Sequence, residues 1–340
     1  MRDQPQDFAL TAIIINSNGG PYLQACVASV LSDPCVREVI VVDNASSDGS
    51  ARAVRQVAGR TKVILSSENL GFGGGANWGA AYALTDLLVF LNPDVLPEGG
   101  CMEALARHLL IYGGVAGPTV RQMANDALEY GATIDRMLLP RGLDRPRKPL
   151  YVQGCCLATT RSCFQAVGGF DARYFLFAED MEYCWQALRR GFSVQVVTEA
   201  SVCHIGGTSA TGGYSRAGRI ETSSTRVLLR ERNSWTALLA CAPLRHLPSL
   251  LLLSAARTLA FTAVLLGHHR MADCLHLWGG LGWNLRNLPT TLARRRRPGV
   301  NRMASIASWH RVDRNFFLWD SFRRGHRLRF VDSPQGVPPR

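Results

Sequence analysis

Runs of consecutive apolar residues alternate with polar and glycine-rich segments along the first third of the chain. The clearest run, LLVFL at 87–91, has no polar face and predicts a strand buried on both sides of a parallel sheet. Similar runs at 8–15, 38–42 and 61–65 predict three more strands, with helical segments between them. The pattern therefore predicts an α/β fold with a doubly wound, mostly parallel sheet.

The pattern continues more weakly up to about residue 200. Strands are predicted over 152–159 and 193–198, and apolar residues at helical spacing between Met181 and Leu188 predict a helix. Residues 119–149 predict a long loop with a basic run.

Two acidic residues follow predicted strands directly. Pro93 cannot donate a backbone hydrogen bond to a sheet, so the strand at 87–91 ends there and places Asp94 at its carboxyl end. Asp43 follows the strand at 38–42 in the same way. Ligands of open α/β sheets bind beyond such ends, which makes Asp94 a candidate ligand for a divalent cation and Asp43 a candidate partner for a base or ribose. Turn chemistry is the alternative for Asp94, and helix capping is the alternative for Asp43.

A glycine-rich segment at 71–75 precedes a helix predicted over about 76–84. Glycines allow main-chain amides to approach a nucleotide or its phosphates closely, and a helix N-terminus favours an anion. The segment lacks the pattern Gly-x-Gly-x-x-Gly because Ala76 stands at the last position, and it follows the third strand rather than the first. Both features count against a nucleotide-dependent oxidoreductase, which stays open as one class of function.

Glu179 and Asp180 follow the aromatic and aliphatic run at 174–177. Apolar surroundings disfavour a charged carboxylate, so the proton affinity of the group rises towards that of a useful general base. Helix capping is the alternative for these acids. His204 follows the last predicted strand and is either a structural residue or, together with Asp94, an imidazole ligand of Mg²⁺ or Mn²⁺.

The net charge of +12 is concentrated in the C-terminal part of the chain. Residues 1–215 carry 17 basic and 20 acidic residues, whereas residues 216–340 carry 21 arginines and 6 acidic residues. We predict a domain boundary there, with a polyanionic partner for the second part, either a membrane surface or a nucleic acid. The 10 cysteines show no paired metal spacing, which indicates reduced thiols, and MRDQPQDFAL at the N-terminus has no signal-peptide pattern.

The basic part contains a long apolar segment, residues 250–267, with Arg257 near its middle. An arginine at the centre of a bilayer costs about 2.5–3.5 kcal/mol, which favours a helix on the membrane surface over a spanning helix. The arginines at 294–297 would then contact anionic headgroups. A soluble helical subdomain is the alternative. The candidate interface tryptophans are Trp278, Trp283, Trp309 and Trp319.

The motifs DNASSDGS, NLGFGGGANWG, LNPDV and GGFDARYFLFAEDMEY, followed by His204, occur in this order along the chain. Over about residues 8–210 the chain resembles family 2 glycosyltransferases with the GT-A fold, most of all bacterial rhamnosyltransferase-like enzymes of cell-surface polysaccharide synthesis. The resemblance implies an inverting enzyme that moves a sugar from a nucleoside-diphosphate sugar to a glycan or polyprenol-linked acceptor. It suggests dTDP-rhamnose as the donor and leaves UDP- and GDP-sugars open.

The resemblance also implies roles for the candidate residues. Asp180 is the catalytic base with Glu179 beside it, and Asp94 and His204 hold Mg²⁺ or Mn²⁺. Asn92 replaces the first acid of the family's Asp-x-Asp, which makes the metal site less anionic. The residues implied in nucleotide binding are Asn16, Asp43, Asn69, Gly71, Gly73, Asn77 and Asn92.

On this interpretation residues 1–215 form the nucleotide-sugar-binding catalytic domain and residues 216–340 a helical membrane-associating region. The enzyme is expected in the cytoplasm, peripheral on the inner face of the cell membrane, with a single span as the alternative. An anionic membrane surface is then a partner, and no nucleic-acid partner is expected. A non-catalytic binding module is a further alternative, but it leaves the acids at the strand ends unexplained.

Overall fold

An open α/β sheet organises the chain, and a computed structural model describes it for residues 8–55, 59–206, 215–216, 219–314 and 327–330. The N-terminal elements are β1 (Leu10–Asn16), α1 (Gly20–Leu31), β2 (Val36–Asn44), α2 (Ser50–Arg55), β3 (Thr61–Ser66), α3 (Gly71–Tyr82), β4 (Leu87–Leu91), β5 (Val95–Pro97) and α4 (Cys101–Tyr112). The middle elements are β6 (Val115–Gln122), β7 (Ala127–Glu129), β8 (Ala132–Ile134), β9 (Pro140–Gly142), β10 (Cys156–Thr160), α5 (Arg161–Val167), α6 (Glu179–Arg189) and β11 (Val194–His204).

The remaining elements are mostly helical. They are β12 (Ser215–Arg216), β13 (Arg219–Thr222), α7 (Ser224–Cys241), α8 (Leu247–Gly267), α9 (Met271–Arg286), α10 (Leu288–Arg295), α11 (Arg302–Trp309) and β14 (Arg327–Phe330). The strands β12, β13 and β14 form a small separate sheet, and β8 and β9 form a hairpin.

The large sheet has the strand order β3-β2-β1-β4-β10-β6-β11-β5, with β7 paired to β6. Strands β3, β2, β1 and β4 are parallel. The apolar runs of β1, β2 and β4 are buried as predicted, whereas the edge strand β3 buries only Ile64. Strand β10 is antiparallel to both β4 and β6, and β11 continues parallel to β6. The predicted α/β class with a mostly parallel sheet and a helical C-terminal region is confirmed.

Two predictions of local structure were wrong. Residues 119–149 are not one long loop, because they contain the end of β6, strand β7 and the hairpin of β8 and β9. Helix α3 begins at Gly71 rather than near residue 76. The glycines of α3 bring the helix close to the sheet, since a Cβ at Gly79 would lie 2.4 Å from Ile13 Cγ2. Tertiary packing thus extends the helix through a segment of low helical propensity.

The core lies on both faces of the large sheet. One cluster packs α1 and α4 on the sheet, and the other joins the sheet to α3, α5 and α6. Trp235 of α7 and Leu250 of α8 belong to the second cluster. Residues on either side of the predicted boundary at 215/216 therefore share one hydrophobic core, and the helical region is packed against the sheet domain.

Candidate active site

The carboxyl ends of β1 and β2 are tied together by polar side chains. Asn16 is paired in register with Asp43, and its Nδ2 donates to Asp43 Oδ1 at 2.7 Å. The same amide donates to Ser50 Oγ at 2.9 Å, while Asn16 Oδ1 accepts from the backbone N–H of Gly19 at 3.1 Å. Asn16 is completely buried. Its predicted role in contacting the nucleotide is therefore replaced by a positioning role, because its amide is used to hold Asp43.

Asp43 is buried at the carboxyl end of β2. Its Oδ2 accepts from the backbone N–H of Ser46 at 3.2 Å, and the side chain is 5% exposed. A carboxylate has about four acceptor positions, so these two hydrogen bonds leave capacity for a donor on a base or ribose. The structure places Asp43 where the sequence predicted it, at the end of a parallel strand.

Asp94 and His204 lie next to each other although they are far apart in the sequence. Strand β5 pairs antiparallel with β11, which brings His204 beside Val95, and His204 Nε2 lies 3.6 Å from Asp94 Oδ1. His204 Nδ1 lies 3.0 Å from Gln122 Oε1. Both Asp94 and His204 are shielded from solvent, with 3% and 15% of their side chains exposed.

The tautomer of His204 follows from its neighbours. Gln122 Nε2 donates to Glu129 Oε2 at 2.8 Å, so Gln122 Oε1 faces the histidine and accepts from Nδ1–H. His204 Nε2 is the ring nitrogen that faces Asp94 Oδ1, so both atoms could coordinate one divalent cation.

These two residues fit a divalent cation that completes its coordination with substrate oxygens. Among the residues that the structure describes, no cluster of three or more His, Cys, Asp or Glu side chains could hold a metal by itself. Magnesium sites commonly use one or two carboxylates together with substrate phosphates and water. Asp94 and His204 are therefore suited to an ion that arrives with a diphosphate, with Mn²⁺ better matched than Mg²⁺ to the imidazole.

A polar network that the sequence did not reveal extends from the histidine. Glu129 also accepts a hydrogen bond from Gln153 Nε2. Gln153 precedes Gly154, whose backbone N–H donates to Asp180 Oδ2 at 2.9 Å. The chain Gln122, Glu129 and Gln153 thus connects the histidine to the segment that holds Asp180. This network depends on the register of β6 with β11, which pairs Gln122 with His204 and which no local sequence pattern predicts.

Asp180 lies in the first turn of α6 and is half-buried. Its Oδ1 accepts from the backbone N–H of Met181 at 2.7 Å, in addition to the bond from Gly154. Burial raises the pKa of Asp180 above its ordinary value, and the two backbone N–H groups oppose this shift. The carboxylate is therefore oriented by hydrogen bonds and has a raised proton affinity, as the sequence predicted for a general base.

Glu179 is more deeply buried than Asp180, with 6% of the residue exposed. Burial, followed by the charge of Asp180, raises the pKa of Glu179 well above its ordinary value. Its Oε2 has no hydrogen-bond partner among the residues that the structure describes. When Glu179 keeps its proton beside an ionised Asp180, the buried pair carries one negative charge instead of two, which avoids repulsion between like charges.

Cys155 lies within electrostatic range of three acids. This buried residue precedes β10, and its backbone oxygen accepts from the N–H of Asn92 at 3.0 Å. Burial raises the pKa of its thiol, and the charges of Asp94, Glu129 and Asp180 raise it further, in that order. Asp94 and Asp180 therefore both act on the thiol that precedes β10, although the two acids are far apart in sequence.

The glycine-rich segment contacts the loop that precedes Asp180. Gly71 has φ +70°, and a Cβ there would lie 2.2 Å from Phe175 O, so the two backbones are in direct contact. The N–H of Phe72 donates to the same oxygen at 2.8 Å. Gly73 is buried against Phe170, where a Cβ would lie 3.1 Å from the Phe170 Cβ. The two glycines thus pack against the loop before Asp180, and their contact with the nucleotide stays a prediction.

The predicted asparagines differ in placement. Asn77 is engaged with the backbone of Phe170, donating to its oxygen and accepting from its N–H, both at 2.9 Å. This structural pairing corrects its predicted contact with the nucleotide. Asn69 is exposed beside the start of α3, and its Oδ1 accepts from Gly71 N–H at 2.9 Å. Asn92 is half-buried at the end of β4, next to Asp94.

Comparisons with known proteins identify the same region. Residues 11–166 match the model of glycosyl transferase family 2. The N-acetylglucosaminyl-diphospho-decaprenol L-rhamnosyltransferase of Mycobacterium tuberculosis is 26% identical over 268 residues, which cover 67% of this chain and 87% of that protein. The low-salt glycan biosynthesis hexosyltransferase Agl10 of Haloferax volcanii is 27% identical over 47% of this chain and 56% of its own length.

Solved glycosyltransferase structures share the fold. S. aureus TarS 1–349 in complex with UDP-GlcNAc has a TM-score of 0.57 at 14% identity and covers 94% of this chain and 93% of its own. GalNAc-T7 with UDP, GalNAc and Mn²⁺ has a TM-score of 0.57 at 15% identity, over 70% of this chain and 49% of its own. Residues 11–166 therefore form a family 2 glycosyltransferase domain, and the chain that carries them is a glycosyltransferase with the GT-A fold.

Proposed function

We propose that the enzyme transfers a sugar, with inversion at the anomeric carbon, from a nucleoside-diphosphate sugar to a hydroxyl group of a glycan or lipid-linked acceptor. The observation that carries this proposal is the half-buried Asp180 carboxylate, which two backbone N–H groups orient at the start of α6. The name of the mycobacterial relative, which describes a sugar-diphospho-decaprenol acceptor, supports a lipid-linked substrate.

The chemistry follows from these positions. Asp180 accepts the proton of the acceptor hydroxyl while its oxygen forms a bond to the anomeric carbon. The bond from that carbon to the nucleoside diphosphate breaks at the same time, and the leaving group departs with the electron pair. Asp94 and His204 would hold the divalent cation, which supplies Lewis-acid neutralisation of the leaving diphosphate. Asp43, positioned by Asn16, would accept a hydrogen bond from the nucleoside.

The variant Asp180→Asn tests the base assignment. The amide keeps an oxygen acceptor for Gly154 or Met181 but cannot take a proton, so we expect transfer to fall by at least about 100-fold. Thermal shifts with UDP, GDP and dTDP, each with and without Mn²⁺, should stay as in the unsubstituted enzyme. The nucleotide that gives the largest shift also identifies the nucleobase of the donor. Transfer at a near-normal rate by Asp180→Asn would contradict the base role.

We also propose that the helical region attaches the enzyme to an anionic membrane surface. Helix α8 buries Arg257, which is 1% exposed, and presents apolar side chains on its outer face, where Leu252 and Leu259 are 74% and 58% exposed. Helix α9 repeats the pattern, with Leu275 76% exposed and Asn284 3% exposed. A soluble protein ordinarily has the opposite arrangement, and an extended apolar face of this kind suits the lipid interface.

The pairing of Arg257 supports a surface location over a spanning one. Residues 244–267 are long and apolar enough to cross a membrane by length and composition. However, Arg257 Nε donates to Glu231 Oε2 at 2.8 Å, and Glu231 belongs to α7. Helix α7 also holds the loop before Asp180 through Asn233, so α8 is packed on the catalytic domain by a buried ion pair.

Several predicted headgroup contacts need correction. Arg294 is 6% exposed and forms an ion pair with Glu182, which removes it from the surface. Arg295 is half-buried and donates to Leu239 O at 2.8 Å, whereas Arg296 and Arg297 are exposed.

The candidate interface tryptophans also differ. Trp278 is 44% exposed, whereas Trp309 is stacked on the buried Trp185 with 6.3 Å between ring centroids. Trp283 is half-buried against a guanidinium of α7. Trp319 lies outside the described residues, as do residues 1–7 of the N-terminal segment.

Co-sedimentation with vesicles of anionic lipid tests the surface. The double variant Leu252→Asp and Leu259→Asp should reduce vesicle binding by about tenfold or more, since each leucine loses about 1.5–3 kcal/mol of burial. Hydrolysis of the sugar nucleotide in the absence of acceptor should be unchanged. Leu110→Asp on α4, where the side chain is 50% exposed, is the matched control. Unchanged sedimentation of the double variant would contradict the assignment.

A further inference from the structure

Two arginines of α7 lie over the loop that precedes the catalytic base. The guanidinium of Arg226 is 4.7 Å from the ring centroid of Phe177, and that of Arg230 is 5.3 Å from the same ring. Phe177 stands three residues before Asp180 in the sequence. Both arginines are on one face of the helix, because they are separated by one turn.

The loop under these arginines is held rigidly by the same helix. Asn233, one turn after Arg230, donates through Nδ2 to Leu176 O at 2.9 Å and to Phe177 O at 2.7 Å. Phe177 and Ala178 have φ values of +69° and +68°, a conformation that non-glycine residues adopt only when their surroundings enforce it. The position of Arg230 relative to the base is therefore fixed by the fold.

Arg230 is half-buried but lacks an internal hydrogen-bond acceptor. Among the residues that the structure describes, no carboxylate or carbonyl accepts a hydrogen bond from its guanidinium. Burial lowers the pKa of Arg230, while the neighbouring Tyr151 and Asp180 oppose this shift. A guanidinium carries five N–H donors and is costly to enclose without an anion, so a ligand that brings negative charge would be stabilised there.

The surroundings of Arg230 indicate which anionic ligand it binds. The donor diphosphate is assigned to Asp94 and His204, whereas Arg230 lies on the side of the base. Helices α8 and α9 pack along α7: Ser224 Oγ donates to Asp273 Oδ2 of α9 at 2.9 Å, and Arg257 Nε of α8 donates to Glu231 Oε2 at 2.8 Å. Helix α7 therefore joins the two apolar helices to the two arginines and to the loop of the base.

We infer that Arg230, with Arg226 one turn before it, binds the diphosphate group of a lipid-linked acceptor and so directs the acceptor sugar to Asp180. This inference rests on the proposed function and adds the acceptor subsite to it. A sugar linked through diphosphate to a polyprenol would place its sugar at the base, its phosphates on the arginines and its lipid along α8 and α9. Arginine suits this role because its planar donors match phosphate oxygens.

The test compares two acceptors that carry the same sugar. One is a sugar linked through diphosphate to a short polyprenol, and the other is the neutral alkyl glycoside. We expect Arg230→Gln to lower kcat/KM for the diphosphate acceptor by about 10- to 100-fold, the range of a lost charge-assisted hydrogen bond. The rate on the alkyl glycoside and the KM for the donor should stay within about twofold, and Arg230→Lys should restore part of the loss.

Controls separate this inference from the proposed function and from unfolding. Arg52→Gln, at an exposed position on α2, should leave both acceptors unaffected. Thermal melting of each variant reports whether the fold is intact. An equal loss on both acceptors, or a raised KM for the donor, would overturn the acceptor assignment and indicate contact with the donor. Absence of sugar-nucleotide hydrolysis and transfer in the unsubstituted enzyme would instead refute the proposed function.

Discussion

Replacing Arg294 with methionine should destabilise the whole fold, because it removes the counter-ion of a buried carboxylate. Arg294 Nε and Nη2 donate to the two oxygens of Glu182, each at 2.7 Å. Glu182 has no solvent exposure and Arg294 has 6%. Burial lowers the pKa of Arg294, but the charge and the hydrogen bonds of Glu182 outweigh it and raise the pKa above its ordinary value. Methionine has a similar volume and leaves Glu182 without its partner.

The magnitude follows from the burial of both groups. Breaking a buried ion pair on one side costs about 3–5 kcal/mol. With an unfolding entropy of about 2.1 cal/mol/K per residue, a cooperative unit of this length would lose about 4–7 °C in Tm. Urea denaturation followed by circular dichroism measures the free energy of unfolding, and a thermal scan gives Tm. The transition should remain a single one, because the helical region shares the core of the sheet domain through Trp235 and Leu250.

The double variant Glu182→Gln with Arg294→Met is the internal control. It removes the stranded charge, so it should be more stable than Arg294→Met alone by at least about 1 kcal/mol. A loss below about 1 kcal/mol for Arg294→Met, or a separate early transition for the helical region, would refute the conclusion that helices α7 to α11 and the sheet domain form one cooperative unit.

Two further predictions concern the loop around the base. Since the pKa of Glu179 is raised in the folded state, that state keeps a proton which the unfolded chain releases above its ordinary pKa, so stability falls as pH rises, by at most about 1.4 kcal/mol per pH unit. Urea titrations at pH 5 and pH 8 should show a smaller difference for Glu179→Gln, and an unchanged difference would contradict this. Gly71→Ala should cost about 1–3 kcal/mol and reduce transfer, because its Cβ would lie 2.2 Å from Phe175 O. Gly99→Ala is the control for thermal melting and activity, because a Cβ at Gly99 would have no other atom within 4 Å. Equal behaviour of both variants would contradict the prediction.

The sequence predicted the parallel half of the sheet because its signals are local. Consecutive apolar residues mark a strand buried on both faces, and Pro93 marks where one ends, so Asp43 and Asp94 could be placed at strand ends without a structure. The antiparallel insertion of β10 between β4 and β6 had no such signal. It depends on pairing between segments that are distant in sequence.

The site residues divide in the same way. Composition predicted Asp180 as a base, since a carboxylate behind aromatic residues is desolvated. The polar residues that hold the site were assigned to the ligand instead, because an asparagine that binds a nucleotide and one that binds a backbone look alike in a sequence. Asn16 and Asn77 are such residues. The arginine run at 294–297 was predicted as exposed for a similar reason, since burial of Arg294 depends on a partner 112 residues away.

The bond from Asn233 to the carbonyl of Phe177 has a practical consequence for anyone preparing this enzyme. A fragment that ends at residue 215 would lack the Asn233 amide, which holds the loop before Asp180. Removing the apolar helices should therefore also reduce activity. A detergent-free preparation would have to be obtained by resurfacing, with polar side chains in place of outward leucines such as Leu252 and Leu275, while α7 is kept whole.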